Sequence, residues 1–141
     1  MTATAVRDAL RATRVIPVLR LATHDAAAVA IDCLIEAGYT TVELTLTTPD
    51  AIALIADLKR RAQPGFLVGA GTVLDLDSAR ACLDAGADYL VSPCIVAGLP
   101  ALATTRNAAA LLGGFTPTEI LAALRVVASA GRPATMQGET R

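Results

Sequence analysis

Glu43 stands in the middle of an apolar run, Val42-Glu43-Leu44-Thr45-Leu46. A carboxylate there costs several kcal/mol to desolvate unless it is paired or protonated. Burial raises a carboxyl pKa, and a raised carboxyl is suited to acid/base work. Two plainer readings stand beside that one: a structural ion pair with Arg20, or a Glu on an edge strand facing water. Arg20, Thr72 and Ser92 fall at the ends of other apolar runs, with Pro93 and Cys94 directly after. Gly69-Ala70-Gly71-Thr72-Val73 is glycine-rich, which suits either close approach of a ligand or tight packing of strand on helix. It lacks the third glycine of a dinucleotide fingerprint. His24 is the only histidine, so a multi-His metal site or a His-based triad is excluded by count. Lys59 is the only lysine and sits in Asp57-Leu58-Lys59-Arg60-Arg61, which reads as a solvated last helical turn. Cys33 and Cys82 fall at apolar helix positions and read as core.

The elements that position these residues repeat. Strand-like runs begin at Val15, Thr40, Phe66, Tyr89 and Ala109, and helical patterns separate them. Thr48-Pro49-Asp50 reads as a helix start with Thr48 as cap and Pro49 first in the helix. Asp77 reads as the cap of the helix through Ala79, Cys82 and Leu83. Thr116-Pro117-Thr118-Glu119 reads as a capping box. Gly38 and Gly86 suit the left-handed residue that ends a helix. Such alternation implies an α/β fold with a parallel sheet and right-handed crossovers. In sheets of this kind, sites form at the C-terminal strand ends, where Arg20, Thr72 and Ser92 fall. Along the second strand, Val42, Leu44 and Leu46 take one face; Glu43, Thr45 and Thr47 take the other.

The chain has 141 residues, 54% hydrophobic and 3% aromatic, with a formal net charge of -1. It is too apolar for disorder. The near-neutral charge and scarce aromatics argue against a nucleic-acid partner. No apolar run reaches the roughly 18–20 residues of a membrane span, and Met1 to Ala12 lack a signal-peptide core. Three cysteines at uninformative spacing imply no disulfide framework, hence a reducing cytoplasm.

Taken in order, these pieces resemble the KDPG/KHG aldolase family, which includes phosphogalactonate-cleaving relatives. The matching segments are Ile16-Pro17-Val18-Leu19-Arg20, Glu36-Ala37-Gly38 leading to Val42-Glu43-Leu44-Thr45-Leu46, and Val68-Gly69-Ala70-Gly71-Thr72-Val73. Ala85-Gly86-Ala87 leading to Val91-Ser92-Pro93, and Thr116-Pro117-Thr118-Glu119, complete the set. The resemblance implies a (β/α)8 TIM barrel and a Schiff base between a lysine and the keto carbon. The substrate would be a 2-keto-3-deoxy-6-phospho-sugar acid, cleaved to pyruvate and glyceraldehyde 3-phosphate. It implies no metal or other cofactor, because the protonated imine is the electron sink, and a homo-oligomer, a trimer in the family. It makes Glu43 the proton-shuttling acid/base, places Thr72 in the pyruvyl pocket, gives Arg20 the substrate carboxylate or phosphate, and sets Pro93 in the pocket wall.

The chain departs from the family pattern at several points. Thr47 stands where the phosphogluconate branch often has Arg, which leans toward the phosphogalactonate branch. Cys94 replaces the usual glycine after Ser-Pro. The Lys-x-Phe-Pro run of the sixth strand and the later glycine-rich phosphate strand are absent. Lys59 lies on a helix before the third strand, so it cannot replace that lysine. A full barrel takes about 200–250 residues. The expectation is a partial barrel of about five βα units over residues 1–128, a frayed polar tail over 129–141, and a truncation or frameshift after about Leu124. Such a chain is expected to be inactive alone. The alternatives are a non-catalytic five-unit flavodoxin-like module, or a remnant whose raw sheet edges promote association.

Overall fold

The structure, a computed structural model, describes residues 1–130. The alternation in β2 (Thr41–Thr45) separates two faces. Val42 and Leu44 are wholly buried under helices, while Thr41, Glu43 and Thr45 take the opposite face. β1 (Val18–Leu19), β3 (Leu67–Gly71), β4 (Tyr89–Ser92) and β5 (Ala109–Leu112) run parallel to β2 in the order β1-β2-β3-β4-β5. One line of register partners crosses the inner face: Glu43, Gly69, Tyr89 and Ala109. The order rises without reversal, whereas a flavodoxin-like sheet runs 2-1-3-4-5. Sequential winding of this kind is that of a (β/α)8 barrel, of which the chain forms a five-strand part.

Between strands lie α2 (His24–Glu36), α3 (Ala51–Arg61), α4 (Leu76–Asp84) and α5 (Leu99–Thr105). Ile31, Leu54, Ile55, Leu58, Cys82 and Leu99 bury their apolar stripes against Val42, Leu44, Val68, Ala70 and Leu90. Each large aliphatic side chain so buried contributes roughly 1.5–3 kcal/mol. α6 (Pro117–Ala130) packs on α5 and starts in the expected box. The Glu119 amide donates to Thr116 Oγ1 at 3.3 Å, and Glu119 Oε2 accepts from the Thr116 amide at 2.8 Å. α6 runs through Ser129 and Ala130, both expected in the polar tail, and the rest of that tail lies outside the described residues.

Other local expectations are corrected. Ahead of the repeating units, Ala3–Thr13 form a further helix, α1, capped by Thr2. Val6 and Leu10, one helical turn apart, bury themselves on the inner face against Leu67, Tyr89 and Ala109. α3 begins at Ala51, not Pro49; Asp50 precedes it with φ +55 and makes no side-chain cap. Thr48 is buried instead, and its Oγ1 accepts from the Leu21 amide at 3.3 Å, tying two strand ends together. The cap of α4 is Asp75, which accepts from the Ser78 amide at 2.7 Å, and Asp77 sits in the first turn. Gly38 and Gly86 take φ +85 and +98 as expected. Among the described residues no helix is long and apolar enough to cross a membrane.

Candidate functional site

β2 is flanked by β1 and β3, so Glu43 is not on an edge strand. Its side chain leans toward the C-terminal strand ends and occupies the space over Gly71 on β3. A β-carbon at Gly71 would collide with Glu43 Oε1 and come within 2.7 Å of Cδ. Gly69 faces the same side and gives its space to the Tyr89 ring. The two glycines therefore act as sockets for inner-face side chains. Ala70, between them, meets the helices, so the strand-on-helix reading of the glycines is corrected.

Glu43 is 8% exposed, and burial raises its pKa above the ordinary carboxyl value; the nearby Arg20 charge pulls it partly back. Arg20 is exposed, directly after β1, and acts through space rather than in a direct ion pair. A buried carboxyl with a raised pKa beside a guanidinium is suited to proton exchange.

Thr72 follows β3 with φ +61, a left-handed conformation that a β-branched residue adopts only under strain. A second hydroxyl group of residues lies beside it in the sheet: Thr45 Oγ1 donates to the Leu19 carbonyl at 3.1 Å and lies 2.9 Å from Thr47 Oγ1. Pro93 is exposed after β4, and its carbonyl lies 2.7 Å from where a Gly113 β-carbon would stand. Ser92 is buried, and its Oγ accepts from the Cys94 amide at 3.4 Å. Arg20 and Thr72 thus fall just past C-terminal strand ends and Ser92 ends β4, as their spacing predicts, with Pro93 directly after. Cys94 is exposed.

Two inner-face residues escaped the sequence reading, Thr41 and Tyr89, while Thr45 lies on the Glu43 face as expected. Tyr89 is wholly buried, and its hydroxyl meets Thr41 Oγ1 at 3.0 Å. Burial drives its phenol pKa far up, so it is neutral at any physiological pH. The available signal was the glycine pair two residues apart on β3, a face left empty for larger neighbours.

Lys59 is corrected from a solvated residue to a half-buried ion pair. Its Nζ donates to Asp88 Oδ2 at 2.8 Å, and the same oxygen accepts from the Val68 amide at 2.8 Å. Asp88 precedes β4, so this pair sits at the N-terminal strand ends, away from Thr72 and Pro93. Cys33 is exposed rather than core; Cys82 is buried, which pushes its thiol up to about 11. His24 opens α2 beside Asp25 at 3.5 Å. One cavity, about 760 Å³, lies past β2 between Thr47, Asp50, Ile52 and Ser78. A second, about 700 Å³, opens at the other end between Glu36, Tyr39, Arg61 and Phe66. Glu43 lines neither.

A singly wound parallel sheet, helices outside and a carboxyl on its inner face, is part of a barrel-type α/β architecture. A model of the family described as KDPG and KHG aldolase matches residues 6–134, and the chain belongs to that family. It is 37% identical over 114 residues to a probable 2-dehydro-3-deoxy-6-phosphogalactonate aldolase of Rhizobium meliloti, covering 81% of this chain and 54% of that protein. The crystal structure of the Zymomonas mobilis 2-keto-3-deoxy-6-phosphogluconate aldolase with 3-phosphoglycerate matches with a TM-score of 0.75 at 30% identity, over 89% of this chain and 59% of that one. A Legionella pneumophila KDPG aldolase, with pyruvate captured as a covalent carbinolamine, matches with a TM-score of 0.70 at 26% identity, over 83% and 54%. The chain spans about half the length of the curated relatives it matches.

Proposed function

We propose that the five units carry the acid/base half of a Schiff-base aldolase site acting on a 2-keto-3-deoxy-6-phospho-sugar acid. The observation that carries this reading is the Glu43 carboxyl, buried on the inner face over Gly71 with a raised pKa. In the reaction, a lysine amine adds to the C2 ketone and water leaves, giving a protonated imine. Glu43 takes the C4 hydroxyl proton as the C3–C4 bond breaks, and the bonding electrons flow into the imine. The aldehyde departs as glyceraldehyde 3-phosphate. Glu43 returns the proton to C3 of the enamine, and hydrolysis frees pyruvate and the amine. Arg20 holds the substrate carboxylate or phosphate by charge, Thr72 lines the pyruvyl pocket and Pro93 its wall.

The nucleophile is not among these 141 residues, since Lys59 is held by Asp88 at the opposite strand ends. On this reading the chain alone is expected not to turn over. Thr47 and the Rhizobium meliloti relative both favour the phosphogalactonate epimer. Borohydride reduction with pyruvate is expected to leave Lys59 unmodified in the mass spectrum; an adduct would overturn this. For Glu43, residues 1–124 replace the matching segment of the Rhizobium meliloti relative. That chimera is expected to cleave the substrate, and Glu43→Gln to cut the rate by about 10²–10⁴. Unchanged turnover in the folded Glu43→Gln chimera would remove Glu43 from the mechanism.

The residues also support a cytoplasmic protein that associates with itself. Phe115, Ile120, Leu121 and Leu124 are exposed around α6, and a designed cage made by fusing symmetric oligomeric domains is a structural neighbour, with a TM-score of 0.71 at 30% identity. Light scattering during gel filtration tests this; a 14.4 kDa monomer would refute it.

A further inference from the structure

We infer that Tyr89 is a positioning residue for Glu43. Its ring occupies the socket over Gly69, which confines the Glu43 side chain to the socket over Gly71, at the mouth of the strand ends. Thr41 pins that ring through its hydroxyl. This rests on the acid/base reading of Glu43.

The geometry comes from the register. Glu43, Gly69 and Tyr89 are cross-strand partners on one line of the inner face. Gly69, without a side chain, leaves an open pleat between these two long side chains. The Tyr89 ring takes it: a β-carbon at Gly69 would collide with the ring and lie 2.7 Å from Cδ2. The hydroxyl reaches past β3 to Thr41 on β2, at 3.0 Å. Thr41 lies two residues before Glu43, on the same face and toward the N-terminal strand ends. The lower half of the pleat is therefore closed by Tyr89 and Thr41, and Val6 and Leu10 of α1 pack beneath them. Glu43 turns the other way, up and across to Gly71. The charged groups that bear on this layer are Arg20 beyond β1, which acts on Glu43, and Asp88 before β4, which with Glu43 acts on Tyr89.

Tyr89 touches no substrate in this scheme. It acts by shape, and also by keeping water from the lower side of the Glu43 carboxyl. The ring, not the hydroxyl, does both.

The test is a carbon-detected NMR titration of the Glu43 carboxyl in the 141-residue chain, assigned by Glu43→Gln. Tyr89→Leu and Tyr89→Met remove the ring while leaving apolar volume, and Tyr89→Phe keeps it. In folded Tyr89→Leu or Tyr89→Met, the Glu43 pKa is expected to fall by about one unit as water enters. The proton contact between the Glu43 side chain and the Gly71 α-carbon should weaken with it. Tyr89→Phe should retain both. In wild type, the Tyr89 ring should show contacts to the Gly69 α-protons, a reading that needs no variant to fold. An unshifted Glu43 pKa in a folded ring-deleted variant, or no Tyr89–Gly69 contact in wild type, would overturn the inference. Loss of the acid/base reading itself would show in the Glu43→Gln chimera and leave these titrations unaffected.

Discussion

The Glu43 carboxyl fills the place over Gly71 where any other residue of β3 would put its side chain. The two residues are thus matched across neighbouring strands: one long and acidic, the other without a side chain. Substitution of either is felt by its partner.

Gly71→Ala is expected to destabilise the chain by about 1–3 kcal/mol through overpacking. In a Glu43→Ala background the cost should largely disappear. A double-mutant cycle in urea measures the coupling, and additive effects would show that the two side-chain positions do not compete.

Glu43→Gln is expected to raise stability at neutral pH while cutting turnover in the chimera by about 10²–10⁴. The folded pKa of Glu43 is raised, so the folded state binds its proton more tightly than the unfolded chain does. That stabilisation is complete below the unfolded value near 4.5 and is lost as pH rises through the raised folded value. Gln imitates the protonated form at every pH. Thermal melts should therefore separate wild type from Glu43→Gln at pH 7 and bring them together in acid.

Tyr89→Phe leaves the buried Thr41 hydroxyl without its partner and is expected to cost about 1–3 kcal/mol. Thr41→Val in the same chain should recover most of it, since both polar atoms are then gone. Urea midpoints with unchanged slope are the measure.

Thr72→Gly is expected to stabilise the chain by about 1 kcal/mol, the strain at φ +61 outweighing the added freedom of glycine. In the chimera it should lower activity, because the hydroxyl assigned to the pyruvyl pocket is lost. A destabilised Thr72→Gly would mean that the hydroxyl does more for the fold than its backbone costs.

Asp88→Asn is expected to cost about 1.5–3 kcal/mol, since Asp88 serves both Lys59 and the Val68 amide. Equilibrium unfolding at low and high salt measures it, and a half-buried pair should persist in salt better than the surface pairs of Arg60 and Arg80.

The strand-helix alternation was legible because each strand is a short apolar run and α2 and α4 carry their own glycine stops. Gly38, Gly86 and the Thr116–Glu119 box act within a few residues, so local sequence determines them. The placement of Arg20, Thr72 and Ser92 followed from the strand pattern alone. What escaped depends on distant partners. Lys59 reads as solvated until Asp88, 29 residues on, is folded against it. Thr48 reads as a cap until Leu21 claims its hydroxyl. α1 has a good cap and a Val6–Leu10 stripe, but the surface that makes the stripe useful is assembled from β3, β4 and β5. The glycine pair was visible, but its tenants, Glu43 and Tyr89, come from two other strands.

The strand order has a kinetic consequence. Because each strand pairs only with its predecessor and successor in the chain, the sheet can grow by accretion, one βα unit at a time, as an emerging chain supplies them. Glu43 acquires its socket once β3 docks, and Tyr89 seats with β4. The Glu43–Tyr89 layer is therefore assembled by about residue 92, before β5 joins, and the remainder of a barrel would close over an inner face that is already set.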